Sequence, residues 1–172
     1  NPAVATAGPQ AAARVARTIT LVAGVATLVF LGLSLGPIIS SLPYLDPWYD
    51  TGSAVALFGI PVVIAVVGQF VSLPTLRRML GAYAIVFLVA VVAWVPALNA
   101  PLPAGLAPWP LEVTALGTVP AAIAWRPAWV WVYLAVNSIV IAPVRWVSSG
   151  QNDWTVPLQE TFFTLTLAAI FT

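Results

Sequence analysis

Long uncharged runs alternate along the chain with short clusters of proline, aromatic and charged residues, and this spacing predicts membrane-crossing helices. The run from Thr18 to Leu42 gives roughly 37 Å of helix at ~1.5 Å per residue, enough to cross a hydrocarbon core of about 30 Å with some tilt. Further spans are expected at about 52–73, 79–98, 111–125, 128–142 and 156–172. The fold class is therefore an all-α integral membrane protein, a bundle of about six transmembrane helices. The fourth span gives only about 22 Å of helix and has Pro120 inside it, so it either begins earlier or crosses a thinned bilayer. Residues 1–13 lack periodicity and read as a disordered lead-in, and 14–172 as the six-helix domain.

The connectors follow from the same reading. Pro43 to Thr51 carries Asp46, Pro47, Trp48, Tyr49 and Asp50 and reads as an interfacial loop. Pro74, Arg77 and Arg78 form a turn. Asn99 to Pro110, dense in proline, is expected to be a semi-rigid surface loop, Arg126 and Pro127 a tight turn, and Gly150 to Asp153 a polar loop. Pro61 falls near the middle of the second span, where a kink is tolerated if neighbouring groups satisfy the freed carbonyl. No internal repeat links the two sets of three helices, which weighs against an inverted-repeat transporter.

If the spans alternate, Arg14, Arg17, Arg77, Arg78 and Arg126 share one side, against Arg145 on the other with Asp46, Asp50, Glu112, Asp153 and Glu160. The excess of arginine in short loops places the first side, and both termini, in the cytoplasm, in a multi-pass protein of the inner membrane.

Composition narrows the chemistry. The 172 residues are 61% hydrophobic and 6% charged, so lipid has to be their solvent. There is no Cys and no His, and all six cationic residues are Arg. Thiol, imidazole and Schiff-base chemistry and Cys/His metal sites are thereby excluded from this segment, and no nucleophile motif or Gly-rich phosphate loop is present. A net charge of +1 does not suit nucleic-acid binding. No catalytic, cofactor-binding or metal residue is assigned.

The remaining candidates are polar groups in apolar surroundings. Glu112, Arg145, Asp153 and Glu160 lie near the outer ends of spans, as interfacial charges, a structural ion pair such as Arg145 with Glu160 or Asp153, or an extracytoplasmic sensing site. Asn137, Ser138 and Gln69 are expected to hydrogen-bond across helices. Gly32 and Gly36 form a small-residue pair suited to an internal packing seam. An aromatic belt accounts for Trp48, Trp109, Trp146 and Trp154 on the outer side and for Trp125 and Trp129 on the inner. Trp94, Trp131 and Tyr133 sit deeper, where they could line a small apolar pocket.

The run Thr114 to Pro127 (TALGTVPAAIAWRP), Asp46 to Tyr49, and Val156 to Thr172 (VPLQETFFTLTLAAIFT) together resemble the N-terminal membrane domain of actinobacterial sensor histidine kinases. Beginning at Asn1 and ending inside an apolar run, the sequence also reads as a piece of a longer frame that continues into the cytoplasm. The resemblance implies a downstream dimerisation helix with a phospho-accepting His, an ATP-binding domain, a homodimer and a response-regulator partner. It makes this segment a sensor whose last helix passes a stimulus to a protein histidine kinase, with Pro61 and Pro120 as helix switches. A small transporter or permease subunit and a purely structural membrane anchor are the competing readings.

Overall fold

Proline has no N–H to lose in the first turn of a helix, and in this chain it opens helices as readily as it ends them. The computed structural model describes residues 2–149 other than 101, 104, 105 and 107, with side chains between 10 and 147. Its helices are α1 (Pro2–Ser41), α2 (Pro47–Ala54), α3 (Ile60–Val67), α4 (Leu73–Ala97), α5 (Trp109–Glu112), α6 (Ala115–Ala124) and α7 (Pro127–Ser149). Pro47, Pro74 and Pro127 all lie at helix starts. The expected loop 43–51 and turn at Pro74 to Arg78 are thus corrected. Only Leu42–Tyr44 and the two residues after it separate α1 from α2, and Arg77 and Arg78 belong to α4, whose cap Ser72 accepts the N–H of Thr75 at 3.4 Å. The lead-in is corrected too, because α1 is helical from Pro2.

Among the described residues, four helical stretches are long and apolar enough to cross a membrane: Gln10–Tyr44, Pro47–Val67, Leu73–Ala97 and Pro127–Val147. They mark the chain as a membrane protein. The second comprises α2, a five-residue π-helical turn (Val55–Gly59) and α3 in unbroken right-handed backbone. α7 runs through Pro143 instead of stopping before it. The fourth expected span is not one helix: α5 and α6 are separated at Val113 and Thr114, and α6 covers only about 15 Å. The sixth, 156–172, lies outside the described residues.

Contacts between connections define the two ends of the bundle. At one, the Arg17 guanidinium donates to the Val71 carbonyl at 2.9 Å, while the Gln69 amide donates to the Arg17 carbonyl at 3.3 Å and to that of Ala65 at 3.0 Å. Trp125 packs against Gly81 at this end as well, bringing Arg126 toward the start of α4. At the other end, the N–H of Asp46 donates to the Ala97 carbonyl and that of Asn99 to the Tyr44 carbonyl, both at 2.9 Å. Arg14, Arg17, Arg77, Arg78 and Arg126 therefore gather at one end and Asp46 and Asp50 at the other.

Gln69→Leu should release the hold of the α3–α4 connection on α1, costing about 0.6 kcal/mol, a usual value for an interhelical hydrogen bond in lipid. Reversible unfolding in mixed micelles measures it. A cost indistinguishable from zero would mean that Arg17 alone holds the connection.

The core forms around α4, which contacts α2, the π turn, α3, α5, α6 and α7. It buries Leu76, Leu80, Tyr83, Phe87, Val91 and Trp94 at helical spacing. Gly117 lets α6 approach, since a methyl there would collide with the Tyr133 hydroxyl and the Phe87 ring. α1 uses a different device. Thr20, Thr27, Ser34 and Ser41, seven residues apart, are all buried, and Thr20, Thr27 and Ser41 bond carbonyls of their own helix at 2.7–2.9 Å. Small side chains that satisfy themselves let another helix come close without stranding a polar group. Within this seam Gly24 meets Ala65 of α3. Gly32 and Gly36, expected in a seam, are exposed, and a methyl added at either would meet no atom within 4 Å among the described residues.

Candidate functional site

In a regular helix the Leu57 carbonyl would accept the N–H of residue 61, and residue 61 is proline. The chain widens into the π turn just ahead of Pro61, and the Tyr83 hydroxyl, from α4, donates to Leu57 O at 2.9 Å. The proline-containing span is thereby tied to the central helix at a defined point. Two further phenols repeat the arrangement: Tyr49 donates to Ala90 O at 2.8 Å and Tyr133 to Ala84 O at 3.2 Å. All three tyrosines are buried, so α2, the π turn and α7 are each fastened to α4 by one hydroxyl.

The broken fourth span lies beside this lattice. The proline-rich stretch before it turns inward: Leu102, Pro108, Trp109, Pro110 and Leu111 are buried, which corrects the expected surface loop. Trp109, expected in the outer aromatic belt, is fully buried and stacks on Phe58 with centroids 5.7 Å apart and planes at 23°. Phe58 is about 16 Å along the helix from Pro47, well inside the bundle. Irregular backbone at that depth is tolerated where protein surrounds it. The N–H groups of Leu116 and Gly117 turn back to the carbonyls of Val113 and Thr114 at 2.9 and 3.1 Å. Pro120 is buried within α6.

Asn137 is fully buried on α7, and among the described residues neither amide atom has a hydrogen-bond partner. The hydroxyl of Ser138, also buried, lacks one as well. The interhelical bonds expected for these two are absent among the described residues, whereas Gln69 makes its own. Asn137 follows Tyr133 by one turn on the buried face Tyr133, Leu134, Asn137, Ile141, Val144. Asp50, one turn into α2, is buried with Oδ1 unpartnered among the described residues.

Glu112 is exposed at the end of α5, and Arg145 is half-buried near the end of α7. Asp153 and Glu160, the candidate partners of Arg145, lie outside the described residues. Trp94 is buried, edge-on to Tyr49 at 5.7 Å. An apolar cleft does form at Tyr133, but Trp125 and Trp129 line it in place of Trp94 and Trp131. Among the described residues no cluster of acidic side chains is arranged to hold a metal ion. No protein-family model, curated protein or solved structure matches the chain.

Proposed function

We propose that the chain is the membrane input domain of a sensor histidine kinase. In this reading both termini are cytoplasmic, the span at 156–172 completes six helices, and a stimulus within or outside the membrane shifts helix packing. Residues beyond Thr172 then carry the phospho-accepting His and the ATP-binding domain, and the parent protein acts as a homodimer upon a response regulator. The observation that supports it is the π turn ahead of Pro61, tied through Tyr83 to α4, because a stimulus shifts an equilibrium only by favouring one of two packings, and a proline-interrupted ladder beside an interhelical hydroxyl contact offers a second one. Pro120, buried in the short α6, is the second candidate switch.

In a cell-based reporter of kinase output, Pro61→Ala or Pro120→Ala should change basal or stimulated signalling severalfold while membrane insertion stays normal. Normal signalling by both variants would remove the switch. A locus that ends soon after Thr172, or adds further hydrophobic spans, would remove the kinase.

One observation favours a transporter instead: a broken span in a bundle that also holds the buried Asn137, unpartnered among the described residues, resembles the discontinuous helices at which carriers hold substrate. Solute flux into vesicles holding the isolated domain would decide for it. Glu112, Arg145, Asp153 and Glu160 remain the candidate outer sensing residues in the first reading.

A further inference from the structure

The faces of α4 and α7 that meet near Trp125 leave an open cleft of about 470 Å³. Its walls are Ile85 and Leu88 on one side and Trp129, Val132 and Val136 on the other, with the buried Tyr133 at its floor. Every wall residue is apolar, and Trp129 is 64% exposed. The cleft runs along the two helices for about 10 Å, from Trp129 to Val136.

Its mouth is charged. Arg126 immediately precedes α7, and Arg78 stands two turns before Ile85 on the same face of α4; both are exposed. α4 and α7 also begin at this end, so the positive poles of both helix dipoles add to the arginines. The carboxylates among the described residues, Asp46, Asp50 and Glu112, lie toward the opposite end or precede α6, which runs from them to Trp125. Among the described residues this basic mouth has no internal counter-charge and the apolar slot is open, a combination that complements an amphiphile with an anionic head and a hydrocarbon tail. A second copy of the chain packed side by side on this face would set Arg78 and Arg126 against their own equivalents.

We propose that this cleft is a binding site for one acyl chain of an anionic phospholipid, with the headgroup phosphate held by Arg78 and Arg126. The site is independent of the kinase reading and needs only that the helices lie in a bilayer.

The test uses the full chain in vesicles of phosphatidylcholine containing increasing fractions of brominated phosphatidylglycerol or, separately, brominated phosphatidylcholine. Bromine quenches indole fluorescence on contact, and the difference between the parent chain and Trp129→Phe isolates the cleft. Phosphatidylglycerol should quench Trp129 with at least about a fivefold preference, the attraction of one arginine near a charged headgroup. The preference should disappear in Arg78→Gln/Arg126→Gln and survive in Arg14→Gln, which alters the same end on α1. Quenching by phosphatidylcholine, unchanged in the double variant, reports that the helices are still folded. Equal quenching by the two lipids in the parent chain overturns the proposal. So does a preference that outlasts the loss of both arginines, or a Trp129 that neither lipid reaches because a second copy covers it.

Discussion

Tyr83→Phe is expected to destabilise the bundle by about 1.5 kcal/mol, and Pro61→Ala in the same chain to restore most of that loss. Proline at position 61 has no N–H to donate to the Leu57 carbonyl, and the phenol of Tyr83 donates there at 2.9 Å from α4. Leu57 is fully buried, so in the absence of the hydroxyl no water replaces it, and the carbonyl bears the cost of an unmet acceptor. An alanine at position 61 brings an N–H to the same carbonyl along the helix. Because a carbonyl oxygen has two lone pairs, Pro61→Ala alone should leave the Tyr83 bond intact and change stability little. The two substitutions are then strongly coupled, with a coupling energy near the full cost of the first. A double-mutant cycle from reversible unfolding in bicelles measures it. Additive effects would show that Tyr83 contributes by filling space and not by completing the kink.

Part of this lattice is legible in the sequence. Pro61 stands out as a kink site on elementary grounds, but its partner is on another helix, and nothing in the local pattern of α4 distinguishes Tyr83 from Phe87. The hydropathy runs locate the four long helices, since an uncharged stretch of the right length has few alternatives in lipid. The observed starts differ from the expected ones because Pro47 and Pro74 occupy first turns, where proline needs no donor, and do not act as terminators. The depth of Trp109 escapes the sequence for a related reason. A proline-dense stretch rules out regular helix but says nothing of depth, and the ring of Phe58 that receives Trp109 is supplied by a distant part of the chain. The buried seam of α1 is present in the sequence. Thr20, Thr27, Ser34 and Ser41 recur every seventh residue, a period that keeps one face toward a neighbour, whereas the more familiar glycine pair at 32 and 36 is exposed.

The charge pattern carries most about architecture. Arginines far apart in sequence meet at one end of the bundle because the helices between them alternate in direction, and the contacts of Arg17 with Val71 and of Trp125 with Gly81 make that alternation geometric. Polarity within the spans carries less. Gln69, Asn137 and Ser138 look equivalent as isolated polar residues in apolar runs, yet Gln69 sits at the end of α3 within reach of the Arg17 and Ala65 carbonyls, while Asn137 and Ser138, mid-helix on α7, find no partner among the described residues.

That difference sets the second expected result: Asn137→Leu should stabilise the fold by about 2 kcal/mol. A primary amide can make four hydrogen bonds, and among the described residues Asn137 makes none, although no part of it reaches the surface. Leucine has the branching of asparagine, with two methyl groups in place of the amide oxygen and nitrogen, and would join Tyr133, Leu134, Ile141 and Val144 on the same face with no polar group to desolvate. Ser138→Ala should move stability in the same direction by a smaller amount, because a hydroxyl is less costly to strand than an amide. Unfolding in bicelles gives both values. A loss of stability in Asn137→Leu would mean that the amide is satisfied in the membrane, most simply by water, and the interior beside the broken span would then be wet. A gain of stability accompanied by altered signalling or flux would identify Asn137 as a group retained for function at the expense of the fold, since a residue that only packs has no reason to remain an amide where leucine is more stable. A gain with function unchanged would leave Asn137 as a tolerated defect and remove the observation that favours a carrier.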